Sequence, residues 1–198
     1  MKIYNFGETI KGYDYKVINE REARASAGIM FLLGLLSLFS VYIWRTLFWA
    51  ELFSLTFIIE FYIRVFINPK HAPYMFIASF IVSNQSPEWV EAKPKKFAWV
   101  LGMLLGTYMA YFIVFDILSS TRIGVCLLCL TLLYLESVFG ICLGCLLYKQ
   151  FNVKLNKCPG DVCEVNTNSD DKMLRYLQLI VYLLLFCVLY IIVKKIQG

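Results

Sequence analysis

The chain carries apolar stretches longer than a soluble fold uses. Ala25–Trp44 runs for about 20 residues with almost no polar interruption, and a helix of about 20 residues spans the hydrocarbon core of a bilayer. Thr46–Ile67, Phe97–Leu118, Ile123–Tyr148 and Met173–Val193 are runs of the same kind. Within hydrocarbon, each backbone donor and acceptor must be satisfied inside its own segment, so such runs are helices. The expected fold is an all-α, polytopic helical membrane protein with about five transmembrane helices. Hydrophobic residues make up 60% of the chain, against roughly 45–50% in a soluble domain, and the mean hydropathy is +0.66.

Between these runs the sequence divides the molecule. Residues 1–24 read as a polar N-terminal segment, 25–148 as a four-helix membrane domain, 149–172 as a cysteine-containing loop and 173–198 as a last transmembrane helix. Arg45 separates the first two runs, which predicts a tight helical hairpin. Residues 68–96 form a proline-rich connection. Within it, Ala72–Val82 is apolar but too short to cross, which predicts one short interfacial or re-entrant helix. Lys93-Pro94-Lys95-Lys96 reads as a set of headgroup-level anchors. No cleavable leader is expected, because the first apolar run begins late and lacks a convincing cleavage site.

The net charge of +5 does not point to nucleic acid, because Lys and Arg flank the apolar runs, where they orient and anchor helices. With the N-terminus inside, the inner side collects five basic residues before Ala25. It also collects Lys70, Lys93, Lys95, Lys96, Lys149, Lys154, Lys157, Lys172 and Arg175, fourteen in all. The outer side holds four: Arg45, Arg122, Lys194 and Lys195. The bias predicts an N-inside, multi-pass protein. Lys194 and Lys195 fit that orientation least well.

Six of the seven cysteines fall in pairs, Cys126/Cys129, Cys142/Cys145 and Cys158/Cys163, and Cys187 stands alone. A C-x-x-C pair suits disulfide exchange because one thiol attacks and the other resolves. If Ile123–Tyr148 is one continuous helix, Cys126 and Cys142 lie about 24 Å apart along its axis and about 160° around it. Those two pairs then cannot share a zinc ion. Within each pair, the Cβ spacing of about 5–6 Å at i,i+3 exceeds the roughly 3.8 Å of a disulfide, unless Gly140 or Gly144 loosens the helix. Cys142, Cys145, Cys158 and Cys163 fall on one side of the expected topology, as a thiol relay or a four-cysteine zinc (Zn) site. No other cofactor is expected. The alternative throughout is that cysteine acts as a small apolar packing residue; that is the favoured reading for Cys126/Cys129 and Cys187.

Intramembrane charge is the second signal, because ionisable groups are expensive in hydrocarbon. Glu60 and Arg64 are spaced to pair on one helical face. Glu136 lies mid-run with no partner in its own helix, and pairing with Arg64, protonation and proton transfer are all open to it. Glu51 and Asp116 fall near the ends of runs. Gly102/Gly106 and Gly140/Gly144 are both G-x-x-x-G and predict the third crossing packing on the fourth. His71, the single histidine, reads as an interfacial residue.

Residues 19–148 resemble a family of small bacterial integral membrane proteins defined by a domain of unknown function. The stretches that carry the resemblance are Ile59-Glu60-Phe61-Tyr62-Ile63-Arg64-Val65-Phe66, Ala72-Pro73-Tyr74 and Ala92-Lys93-Pro94-Lys95-Lys96-Phe97-Ala98. The most specific is Phe139-Gly140-Ile141-Cys142-Leu143-Gly144-Cys145-Leu146-Leu147-Tyr148. The resemblance implies a helical domain in the bacterial inner membrane, with Cys142 and Cys145 as its recurring C-x-G-C. It also implies association with thioredoxin-like or rhodanese-like proteins, and hence thiol or sulfur chemistry. Cys126/Cys129, the Cys158/Cys163 loop and the fifth helix depart from its pattern.

Three functions follow from these features. The first is a thiol–disulfide or sulfur relay through Cys142/Cys145, with Cys158/Cys163 as a shuttle pair. The second is a small transporter or channel in which Glu60, Arg64 and Glu136 line the path. The third is a non-catalytic membrane subunit. The bilayer is a partner in each, and self-association is left open.

Overall fold

In a computed structural model, residues 6–115 and 120–150 are described, together with Ile180, Leu183, Cys187 and Ile191. Apart from those four residues the expected fifth crossing lies outside the described residues, as do Asp116 and the loop with Cys158 and Cys163. The elements run β1 (Val17–Asn19), α1 (Glu20–Trp44), α2 (Phe48–Tyr62), α3 (Pro73–Ile81), β2 (Trp89–Glu91), α4 (Ala92–Val114), α5 (Ser120–Tyr134) and α6 (Leu143–Gln150). Among the described residues the fold is all-α apart from one pair of short strands. Among the described residues, three helical segments are long and apolar enough to cross a membrane: α1, α4 and Arg122–Phe139. The chain is therefore a membrane protein in character, and large apolar side chains such as Leu32, Leu36, Phe39, Leu104 and Leu127 remain exposed on the outside of the bundle.

The second expected crossing forms as α2 continued by a π-helical turn, Ile63–Ile67. Glu51, Glu60 and Arg64 interrupt its apolarity. Arg45 ends α1 in the left-handed region at φ 56°, and the chain turns directly into α2. Ala72–Val82 folds as the nine-residue helix α3, which packs on α1. Alanine, serine and glycine at Ala23, Ser26, Ala27, Gly34, Ser37 and Ser40 form the buried face of α1, which lets its neighbours approach closely.

Helix α1 begins at Glu20, five residues before the apolar run. Asn19 caps it, its side-chain oxygen accepting from Arg21 N at 3.2 Å, an interaction worth about 1 kcal/mol. The same oxygen accepts from Glu88 N at 3.2 Å, which ties the cap to the strand that precedes α4. Strands β1 and β2 pair antiparallel, Val17 with Glu91 and Asn19 with Trp89. Each strand leads without a break into a helix, so this small sheet sets the starts of α1 and α4 side by side.

One glycine motif is used differently from the expectation, and the other in part as expected. A Cβ at Gly102 would meet the Phe61 ring and one at Gly106 the Phe57 ring. These glycines therefore seat α2 aromatics on α4, not α5. Gly144 packs on Ala98 of α4. Gly140 ends the fourth crossing altogether. After a π-helical turn at Leu135–Phe139, Gly140 takes φ 66°, a conformation glycine adopts without steric cost. Helix α6 then starts afresh. The expected continuous helix Ile123–Tyr148 is thus two helices with a break, and the spanning segment ends at Phe139.

Candidate functional site

Among the described residues two buried charged clusters stand out, and the second adjoins a pair of cysteines. The first is built on Glu60 and Arg64, which are 0% and 1% exposed. One turn apart on α2 and its π extension, they form an ion pair, with Arg64 Nε donating to Glu60 Oε1 at 2.8 Å. The start of α3 is aimed at the same carboxylate: Tyr74 N donates at 2.7 Å and Met75 N at 3.1 Å. Arg64 also donates to Ser26 Oγ at 3.0 Å and lies over the Phe61 and Trp99 rings. The carboxylate is satisfied from within the bundle. Removing one member of a buried pair of this kind costs roughly 3–5 kcal/mol.

The second cluster is centred on Lys95, which is 3% exposed. Lys95 is therefore not the headgroup anchor its Lys-Pro-Lys-Lys setting suggested. Its ammonium bonds Glu20 at 2.9 Å and Glu136 at 2.8 Å. Glu20 opens α1, Lys95 lies in the first turn of α4, and Glu136 lies in the π turn that ends the fourth crossing. The β1–β2 pairing brings the first two together. Glu136 thus takes Lys95 as its partner rather than Arg64.

Cys142 and Cys145 stand beside this cluster, beyond the end of the spanning segment. Cys142 immediately precedes α6, and its sulfur accepts from Cys145 N at 3.4 Å, in the manner of a capping side chain. The Cys145 thiol is directed at Cys142 Sγ, with the two sulfurs in direct contact. The break at Gly140 removes the strain expected of a mid-helix pair, because the first cysteine no longer lies inside a helical turn. The hydrogen bond from Cys145 holds the Cys142 thiol below its ordinary pKa, and the Lys95 ammonium acts in the same direction, against burial. Donating that bond, together with burial, pushes the Cys145 thiol well up. One thiol is poised to ionise and its neighbour to hold a proton. A helix N-terminus and an adjacent cation are the settings that favour a reactive thiolate. The Arg24 guanidinium lies against Gly140, where an added Cβ would come within 2.8 Å of it.

Cys126 and Cys129 lie on the unbroken helix α5, with Cys129 buried in a core cluster with Ala50, Met109 and Ile113. Cys187 is exposed. His71 falls in a short 3-10 turn, Pro69–His71. Among the described residues, no three His, Cys, Asp or Glu side chains are placed to hold a metal ion. The expected four-cysteine zinc set cannot be assembled from them, because Cys158 and Cys163 lie outside the described residues. Reasoning from sequence missed Glu20 and Lys95. A signal was present: Lys95 shares a helical face with Trp99, Gly102 and Gly106, and Glu20 with Ala23, Ala27 and Gly34.

Residues 18–152 match the family model of a domain of unknown function, DUF4395. The chain belongs to that family. The match contains both charged clusters and the C-x-G-C pair. No curated protein and no solved structure matches the chain.

Proposed function

We propose that this member of the family is a membrane thiol protein that exchanges electrons, or a sulfane sulfur, through Cys142 and Cys145 with a thioredoxin-like or rhodanese-like protein. The observation that carries the reading is the polarised pair at the start of α6, where Cys142 accepts from Cys145 next to Lys95. In exchange, the Cys142 thiolate attacks one sulfur of a partner disulfide and expels the other as a thiolate, which takes up a proton. Cys145 then loses its proton and attacks Cys142 Sγ. This closes the Cys142–Cys145 disulfide and releases the partner's second thiol. Two electrons pass to the partner, and the reverse sequence accepts two. With a persulfide donor, Cys142 attacks the outer sulfur and the donor leaves as a thiol.

The charge bias of the loops supports a multi-pass arrangement in a bacterial inner membrane with the N-terminus inside. That orientation puts Glu20, Lys95 and the dithiol near the inner face, where a soluble thiol partner can reach them. Cys158 and Cys163 would follow on the same side as a shuttle pair. The transporter alternative would use Glu60, Arg64 and Glu136, whose charges pair as Glu60 with Arg64 and Glu136 with Lys95.

The test is to trap the mixed disulfide. Cys145→Ser should accumulate a Cys142-linked adduct with a soluble thioredoxin-like protein supplied as its disulfide, and Cys142→Ser should accumulate none. Equal adduct in both variants would overturn the proposal.

A further inference from the structure

Exchange through Cys142 leaves one proton without an assigned acceptor. Cys145 must release it before its sulfur can attack Cys142, which by then is tied up in the mixed disulfide. Glu136 lies in the π turn Leu135–Phe139, and Gly140 folds the backbone back so that Ile141 N donates to Leu135 O at 3.0 Å. The dithiol therefore follows directly on the turn that carries Glu136. From the other side α6 is pressed on α4: a Cβ at Gly144 would come within 2.5 Å of Ala98 Cβ, one turn from Lys95. Lys95 bonds Glu136 at 2.8 Å, and both groups act electrostatically on both thiols.

The charges of the cluster favour uptake of a proton. Glu20 and Glu136 share one ammonium, so the three groups sum to one negative charge. A proton on one carboxylate brings that sum to zero while the other still holds Lys95, and uncompensated charge is costly away from water. Other charges face the cluster: Arg24 from α1 lies against Gly140, and Glu88, just before β2, acts on Glu20. Of the two carboxylates Glu136 has the more exposed side chain, 17% against 11%, which gives it a route to water. We propose, resting on the exchange reading, that Glu136 is the proton acceptor for Cys145 in the resolving step, directly or through one water. The Cys145 S–H proton passes to the Glu136 carboxylate, and the Cys145 thiolate attacks Cys142 Sγ. The bond from Cys142 Sγ to the partner sulfur breaks, and its electron pair leaves with the partner thiolate. The dithiol is oxidised by two electrons and the partner disulfide is reduced by two. Glu136 then releases its proton to water, and in the reverse direction it returns a proton to Cys145.

The experiment mixes the reduced full chain in mild detergent with a thioredoxin-like protein supplied as its disulfide, quenches with acid, and follows the mixed disulfide over time at several pH values. In Glu136→Gln, Cys142 should attack at least as fast as in the wild type, because the Glu136 charge opposes Cys142 ionisation. The mixed disulfide should then decay about a hundredfold more slowly near neutral pH, and decay should recover as pH rises and hydroxide takes over the proton. A structural role for Glu136 would give no such recovery. Glu20→Gln should slow decay less. Decay at the wild-type rate in Glu136→Gln, or equal slowing in the two variants, would overturn the proposal and leave the exchange reading intact. Absence of any mixed disulfide in Cys145→Ser would overturn the exchange reading, and the proposal with it. If Glu136→Gln aggregates, Glu136→Asp decides. It keeps the charge but withdraws the base by one methylene, so it should slow decay with Cys142 alkylation unchanged; decay at the wild-type rate would overturn the proposal.

Discussion

Two pairs of cysteines share the same C-x-x-C spacing, and the fold makes different things of them. Cys126 and Cys129 lie within the continuous helix α5, where i,i+3 positions hold Cβ atoms about 5–6 Å apart, and Cys129 is buried in an apolar cluster. Cys142 and Cys145 straddle the start of a new helix. There Cys142 leaves the helical turn, accepts a backbone N–H and a thiol hydrogen bond, and lies within the field of Lys95. The lesson is that spacing alone does not specify thiol chemistry. A break in the helix and a buried cation supply the geometry and the charge, and only one of the two pairs has them.

The contrast can be broken by substitution. Cys142→Ser should reduce thiol–disulfide exchange to background, measured as reduction of a model disulfide by protein in detergent. Exchange that persisted would move the chemistry to another pair. Lys95→Met comes next. It leaves Glu20 and Glu136 facing each other without their cation, at a cost of roughly 3–5 kcal/mol, visible as a lower midpoint of thermal unfolding. It should also raise the Cys142 pKa, which lowers the thiolate fraction and slows alkylation severalfold near neutral pH. Because the wild-type Cys142 pKa is depressed, its alkylation should continue at pH values where an ordinary thiol is protonated. The rate should fall only as pH drops through that lowered value, and the profile of Lys95→Met should shift to higher pH.

Gly140→Ala should have a smaller effect. A non-glycine residue in the left-handed region costs about 1–2 kcal/mol, and the new methyl meets the Arg24 guanidinium. Exchange should slow as the start of α6 is displaced, read from the alkylation rate of Cys142. Glu60→Gln should lower stability by roughly 3–5 kcal/mol by leaving Arg64 buried without its charge partner. It should leave the exchange rate per folded molecule unchanged, which separates a structural ion pair from a functional one. Cys126→Ser/Cys129→Ser should change exchange least, with the rate equal to wild type.

Much of the architecture could be read directly from apolar run lengths. The hairpin at Arg45, the short helix near Ala72–Val82 and the spacing of Glu60 with Arg64 all rest on local pattern and on the thickness of a bilayer. The break after Phe139 did not show in the same way. The run continues apolar through Gly140 and Ile141, and a glycine four residues from another glycine looks like a packing motif until its φ is known. Lys95 was hidden for a related reason. Three lysines around one proline resemble interfacial anchors, and only the face shared with Trp99, Gly102 and Gly106 distinguishes the one that turns inward. The β1–β2 pair was unreadable because Val17–Asn19 and Trp89–Glu91 are too short for a strand pattern. Its consequence, the meeting of Glu20 with Lys95, depends on contacts between residues 75 positions apart.

The most direct test of the difference between the two pairs is their redox state in intact membranes. Thiols would be trapped with a permeant alkylating reagent after a brief oxidant pulse and again after reductant, and each cysteine read by mass spectrometry. The account predicts that Cys142 and Cys145 cycle together between dithiol and disulfide while Cys126 and Cys129 stay reduced. Cycling of Cys126/Cys129, or inert thiols at Cys142 and Cys145 under both treatments, would contradict it.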